Sequence, residues 1–271
     1  MTGINPDCLI FDVDGVLLRS NETYQEIIRM LVEGEWRKIG LEADAPGYSG
    51  ELNFVFKNHG SFNDDYDIAW TLLNIAASSG ARKLSEALPS PKRLEEIVSD
   101  CAGTCGEWLP KRFGLKFGVE KIRKLGQDIF TGDNGGQGLW KLDRPMLDAH
   151  WSILPHPVYI YTGRNLREWR FAQETLGWQD FPDERAVHAG TGIRKPSPEG
   201  LAVICSRFGH ERPVFFGDTR SDKLSFDAFG RGWFAAIGDM LPESEPRFSD
   251  VTAALSQILG WESRTAAAAA L

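Results

Sequence analysis

Cysteine is scarce in this sequence: Cys8, Cys101, Cys105 and Cys205 are the only four in 271 residues. So few, so scattered, they exclude a disulfide-built scaffold and point to a reducing compartment. Long apolar runs are missing, since no stretch approaches the roughly 18 residues that a membrane span needs. Residues 1–6 offer no basic start followed by an apolar segment, so no secretory leader is expected. Basic charge is not in excess either. Thirty Lys and Arg face 38 Asp and Glu, a formal net charge of −8, which argues against wrapping nucleic acid or binding an anionic membrane. A local pocket can still oppose the global sign and take a small anion. The five histidines are dispersed, and no repeat of fixed period is present. What is abundant is core-forming material, 42% hydrophobic and 11% aromatic. The expectation is a cytoplasmic globular protein of two domains, or of one domain with a large insertion.

Short β-rich apolar runs occur at Cys8–Phe11, Val158–Tyr161, 186–188, 214–216 and Trp233–Ile237. Helical segments separate the last four. Residues 166–176 end at Gly177, and residues 199–208 follow Ser197-Pro198, read as N-cap and first helical residue, and end at Gly209. Apolar strands alternating with such helices imply crossover units and a parallel sheet covered on both faces. Between the first strand and the rest lies a block that reads as helix. Tyr24, Ile27, Ile28 and Leu31 follow helical spacing. A helix over 64–77 with Asn63 as N-cap is expected next, then one beginning at Ser90-Pro91, then one over 119–130. The division predicted is a core of 1–17 and 150–258, an inserted helical domain of 18–149, and a tail of 259–271. No function is assigned to the alanine run 266–270.

The first strand runs into Asp12-Val13-Asp14-Gly15. Strand alternation would put both carboxylates on one side, at the sheet edge where open α/β folds bind ligands. Two close carboxylates repel unless a cation or proton relieves them, and oxygen ligands suit Mg²⁺. Taken alone, the pair fits an ordinary capped turn equally well. The second major strand ends in Thr162-Gly163-Arg164, a hydroxyl and a flexible backbone before a helix N-terminus, which suits a phosphate. An ordinary turn explains it as well. Lys195 stands before a proline-fixed turn, where its ammonium could oppose an anion or simply be solvated. A later strand ends in Gly217-Asp218-Thr219-Arg220-Ser221-Asp222, again with carboxylates at a carboxyl edge. Four strand ends bearing Asp/Asp, Thr, Lys and Asp/Asp in chain order are hard to explain as caps and turns alone.

This set resembles the four motifs of the haloacid dehalogenase superfamily, in order and on the expected element ends. The insertion after the first motif resembles the helical cap of its subfamily I, placed as in phosphoglycolate-phosphatase-like members. The resemblance implies a Rossmann-like parallel core with an α-helical cap and an Mg²⁺-dependent phosphatase acting on a small phosphorylated metabolite. By the same resemblance, Asp12 is the nucleophile that becomes an aspartyl-phosphate, and Asp14 is the general acid and base. Asp12, Asp218 and the backbone carbonyl of Asp14 hold Mg²⁺, and Asp222 stands behind them, orienting Lys195 or a water on the metal. Thr162, Gly163 and Lys195 hold the phosphoryl oxygens. The presence of Asp14 favours phosphoryl transfer over dehalogenation. A cap loop reaching the core site would place Phe62, Asn63, Asp64 and Asp65 as substrate-selecting residues; local helix capping explains that composition as well. The alternatives carried forward are a phosphomutase on the same site and a non-catalytic phosphometabolite-binding protein. The Cys101–Cys105 spacing lacks a second ligand pair for zinc, and the glycine-dense segment 132–138 lacks dinucleotide-binding spacing.

Overall fold

The computed structural model describes residues 4–262, so the alanine run 266–270 lies outside the described residues. The chain divides into two compact units. One comprises residues through Ser20 together with the chain from Asp143 onward, and the other is Asn21–Leu142. The expected borders at 17/18 and 149/150 therefore move to 20/21 and 142/143. The cause is a small antiparallel ribbon. Strand β2 (Leu18–Arg19) leaves the first unit and β3 (Arg144–Pro145) returns to it, with Leu18 opposite Pro145 and Arg19 opposite Arg144.

In the first unit, β1 (Cys8–Phe11), β4 (Val158–Tyr161), β5 (Ala186–Val187), β6 (Pro213–Gly217), β7 (Trp233–Ile237) and β8 (Arg247–Phe248) form one sheet. Its order is β5-β4-β1-β6-β7-β8, and every neighbouring pair is parallel. The period-2 alternation of side chains divides the interior into two layers. Leu9, Phe11, Val158, Ile160, Val214, Phe216, Ala235 and Ile237 face one cluster. Cys8, Ile10, Tyr159, Tyr161, Phe215, Phe234 and Ala236 face the other. Both faces being apolar, helices must cover both, as parallel sheets require. The ring of Phe11 stacks on Phe216 at 4.6 Å, one register step before the chemistry begins. Such a pair contributes about 0.5–1.5 kcal/mol beyond its buried area.

The second unit is helical among its described elements. It contains α1 (Asn21–Lys38), α2 (Gly50–Lys57), α3 (Asp65–Ser78), α4 (Leu84–Ala87), α5 (Pro91–Val98), α6 (Cys105–Phe113) and α7 (Val119–Thr131). The stripe Tyr24, Ile27, Ile28 and Leu31 of α1 is buried as its spacing requires. Two features corrected the sequence reading. Helix α3 starts one residue later than expected, and Asp64, not Asn63, caps it by accepting from Tyr66 N and Asp67 N. Helix α6 has no clear helical pattern in the sequence because Pro110 interrupts it; Thr104 caps it and Cys105 is its first residue, buried and unconnected to zinc-type spacing.

Back in the first unit, α8 (Leu166–Leu176), α9 (Glu199–Phe208), α10 (Arg220–Phe229) and α11 (Val251–Leu259) complete the crossovers. Helices α8 and α9 end in left-handed Gly177 and Gly209 as their sequences predict. At the start of α9, Pro198 occupies the N-cap and Ser197 Oγ accepts from Glu199 N at 3.2 Å, a shift of one residue. Strand β5 stops at Val187, and His188 instead caps the following 3₁₀ turn. No described helix is long and apolar enough to cross a membrane.

Candidate active site

The carboxyl ends of β1, β4, β5 and β6 lie side by side, and each releases one of the motif segments. The backbone continues the ladder briefly beyond two of them. Asp12 N donates to Phe216 O at 2.9 Å and Thr162 N donates to Val187 O at 3.0 Å. Side chains at these positions are therefore held by the sheet rather than by mobile loop.

Lys195, its side chain 2% exposed, joins the segments. Its Nζ lies 2.7 Å from Asp12 Oδ1 and 2.5 Å from Asp222 Oδ1. The rings of Tyr161 and Phe215 flank the ammonium at 5.3 and 5.6 Å, a cation–π setting. Tyr161 also donates its hydroxyl to Ser197 O at 2.7 Å, which pins the loop that carries the lysine. Sequence reading found Lys195 but not these two aromatics; their signal was only that both lie in core strands.

Asp222 does two things at once. Its Oδ2 accepts from Asp218 N, Thr219 N and Thr219 Oγ1, closing a capping box that fixes the first turn of α10. Its other oxygen pairs with Lys195. The carboxylates of Asp12, Asp218 and Asp222 lie within 4.8 Å of one another, and all three residues are buried. Glycines make room for them. Gly15 has φ +75°, and a Cβ there would collide with the Asp218 carboxylate. A Cβ on Gly217 would come within 2.5 Å of Asp222 Cβ.

Asp14 does not join that cluster through its side chain. The strand ends at Phe11, before both carboxylates, and the Asp14 carboxylate pairs with Arg164. Arg164 Nε lies 3.1 and 3.2 Å from its two oxygens, and Nη2 lies 2.7 Å from Oδ1. Thr162 is fully buried and its hydroxyl accepts from Arg164 N at 3.2 Å, while Gly163 is exposed. The structure thus brings Asp12, Lys195, Asp218 and Asp222 together, places Thr162 directly after β4, the neighbour of β1, and pairs Asp14 with Arg164.

Of the loop residues expected to select substrate, Phe62, Asp64 and Asp65 have their side chains engaged within the second unit, and Asn63 is held through its backbone carbonyl. Phe62 is 1% exposed and packs on Phe56, His59 and Trp108. Lys57 donates to Asn63 O and forms an ion pair with Asp65 at 2.9 Å. Asp64 caps α3. Phe62 is therefore a core residue, buried because its ring completes an aromatic cluster, and it offers no side chain to a ligand.

Electrostatics single out Asp12. Burial, the largest influence, pushes its carboxyl up to about 7; Lys195 opposes the rise, and Asp222 and Asp14 add to it. For Lys195, burial works downward, but Asp12 and Asp222 outweigh it and hold the ammonium above its ordinary value. Three buried carboxylates answered by one ammonium leave two negative charges over. A divalent cation bound by oxygen donors fits that excess, and the donor set is all carboxylate, as hard cations prefer. A carboxyl whose folded pKa lies above its unfolded 3.8 lends stability below that pH and loses it as pH rises through about 7. Metal-free protein should accordingly melt at a lower temperature at pH 8 than at pH 5.5 through this group, and added Mg²⁺ should narrow the gap. Calorimetric scans at both pH values, with and without Mg²⁺, check this; an Mg²⁺ effect equal at both pH values would count against it.

No protein-family model matches the sequence, and no curated protein matches it either. Solved structures do. Phosphatase Tt82 from Thermococcus thioreducens is 25% identical with a TM-score of 0.66, covering 94% of this chain and 100% of its own. A haloacid dehalogenase-like protein of unknown function from Agrobacterium tumefaciens is 15% identical with a TM-score of 0.53, covering 98% and 100%. The chain has the fold of the haloacid dehalogenase superfamily. A third structure with this fold, described as a candidate phosphoglycolate phosphatase from Lactobacillus delbrueckii subsp. bulgaricus, is 16% identical with a TM-score of 0.62 over 95% and 100%. In the haloacid dehalogenase fold found here, the four motif segments recognised in the sequence leave neighbouring strands at one sheet edge.

Proposed function

We propose that this chain is a phosphoric monoester hydrolase that acts through Asp12, with Mg²⁺ as its cation and a small phosphorylated metabolite as its substrate. The observation that carries the reading is the position of Asp12. It is a buried carboxylate at the end of the central strand, 2.7 Å from the Lys195 ammonium and grouped with Asp218 and Asp222. A carboxylate so placed is a nucleophile whose charge and orientation are set before substrate arrives.

In this scheme, an Asp12 oxygen attacks phosphorus and the bond from phosphorus to the ester oxygen breaks on the opposite side. Asp14 supplies the proton that the departing oxygen takes up. Asp14 then accepts a proton from the water that attacks the aspartyl-phosphate, which releases inorganic phosphate and restores Asp12. Lys195 and Thr162, with the Gly163 backbone, hold the phosphoryl oxygens and offset the repulsion between two anions. Asp222 keeps the lysine in place through their 2.5 Å contact. Asp12, Asp218 and the Asp14 carbonyl would hold Mg²⁺, which when bound supplies further charge neutralisation at the phosphoryl group.

The test is phosphate release from p-nitrophenyl phosphate and from a panel of phosphorylated metabolites. Release that requires Mg²⁺ and stops with EDTA is expected. An absence of turnover across the whole panel, with ligand binding intact, would instead leave a phosphometabolite-binding protein. Phosphorus NMR of the products separates hydrolysis from a mutase, which would return an isomerised sugar phosphate and no free phosphate.

A further inference from the structure

A second charged cluster borders the same sheet edge: Asp14, Arg164 and Asp143. Arg164 directly follows Thr162-Gly163, before α8, where sequence reading saw only part of a phosphate-binding turn. The structure uses its guanidinium otherwise. One side grips Asp14 through Nε and Nη2. From the other side, Asp143 Oδ2 accepts from the same Nη2 at 2.7 Å. Nη1 donates to Glu168 O at 3.3 Å, in a turn of α8 locked by the Asn165–Glu168 capping box.

The burial pattern is uneven. The side chains of Arg164 and Asp143 are each 1% exposed, whereas that of Asp14 is 31% exposed. Burying a guanidinium and a carboxylate carries a desolvation cost that packing an apolar pair would avoid. What the buried pair provides is direction. A planar fork held on its far side by Asp143 and by a carbonyl has one orientation left, and it presents two nitrogens to a single partly exposed carboxylate. Asp143 also answers the guanidinium's charge, so Asp14 is not the sole counter-ion of Arg164. Position matters here because proton transfer demands a heavy-atom separation of about 2.6–3.2 Å from the oxygen concerned.

We infer that Arg164, braced by Asp143, is the positioning residue for Asp14, fixing the carboxylate that exchanges protons with the leaving and attacking oxygens. This rests on the phosphatase reading above. Neither residue touches the phosphoryl group in this scheme; both act through Asp14.

The experiment compares kcat/KM for phenyl phosphate and 2,4-dinitrophenyl phosphate in wild type, Arg164→Lys and Asp143→Asn. This parameter reports steps up to phosphoenzyme formation. Dinitrophenolate departs without a proton, whereas phenolate benefits from one. Both variants should lose at least about tenfold more on phenyl phosphate than on the dinitrophenyl ester, since general acid catalysis is worth about 10²–10⁴-fold. In an Asp14→Ala background, the same substitutions should no longer change the ratio of the two substrates. Equal losses on both esters, or an unchanged ratio, would overturn the positioning role and mark the cluster as a structural pin. Should Arg164→Lys fail to fold by circular dichroism, Asp143→Asn, which keeps volume and an acceptor, decides alone. Wild type inactive on both esters would refute the phosphatase reading itself, a result distinct from an active enzyme with an unshifted ratio.

Discussion

Asp12→Asn should cut phosphate release by at least about 10⁴-fold without lowering the melting temperature. Loss of a nucleophile that works as part of a unit removes nearly all of that unit's contribution. The stability half of the expectation comes from the charge count. Asp12 belongs to a buried group with three carboxylates and one ammonium, and its own carboxyl is pushed up by burial. Asparagine retains the shape and an oxygen for Lys195 while removing one uncompensated charge, so the metal-free variant should be as stable as wild type or more so. Functional sites commonly hold such local cost. Phosphate assays and thermal melts on the same preparation check both halves. Full activity would remove Asp12 from the mechanism, and a collapsed melting temperature would mean its role is structural.

Lys195→Met should fail on both counts. The methionine leaves Asp12, Asp218 and Asp222 facing one another with no ammonium between them. Breaking a buried ion pair by removing one partner costs about 3–5 kcal/mol, and removing an electrostatic stabiliser of this kind costs about 10²–10³-fold in kcat. The carboxyls can relieve the strain only by taking up protons, so the stability loss should be larger at pH 8 than at pH 5.5. Mg²⁺ should restore part of it, since the cation replaces some of the missing charge. Lys195→Arg should not rescue activity. The branched guanidinium cannot occupy the place of a compact ammonium held between two carboxylates and the rings of Tyr161 and Phe215. Denaturant unfolding at the two pH values, with and without Mg²⁺, measures the effect, and a loss independent of pH would contradict the electrostatic account.

The parts of this fold that were legible in the sequence are those set by local rules. β1, β4 and β7 have the boundaries that their apolar runs predict, and α8 and α9 end at left-handed glycines. The α5 start is equally local, with Ser90 capping through Arg93 N and Pro91 in the first turn. Where two Asx residues compete for one cap, as Asn63 and Asp64 do, spacing alone does not choose; tertiary contacts of the preceding loop decide it. The short ribbon of β2 and β3 was invisible because two residues per strand carry no periodicity, and it moved the border between the units.

At the site, residue identity was more informative than geometry. The grouping of Asp12, Lys195, Asp218 and Asp222 is legible because each follows a recognisable strand. Strand alternation says less about Asp14, because the strand ends at Phe11, before either carboxylate, and its pairing with Arg164 is a tertiary contact. The partnership of Arg164 with Asp14 and Asp143 spans 150 and 21 positions in sequence, so no local pattern encodes it. Phe62 was misjudged for the reverse reason. Its surroundings looked like an exposed polar loop, but its ring is drawn into an aromatic cluster with Phe56 and Trp108.

Hydrolysis through Asp12 requires a covalent bond between Asp12 and phosphorus. Acid-quenched Asp14→Ala protein, mixed with 2,4-dinitrophenyl phosphate and Mg²⁺, tests it directly by peptide mass spectrometry. With the leaving group needing no proton and the base that activates the attacking water removed, the peptide containing Asp12 should accumulate one phosphoryl group that hydroxylamine removes. Dinitrophenolate released over many turnovers, with no phosphorylated peptide at any quench time, would contradict it.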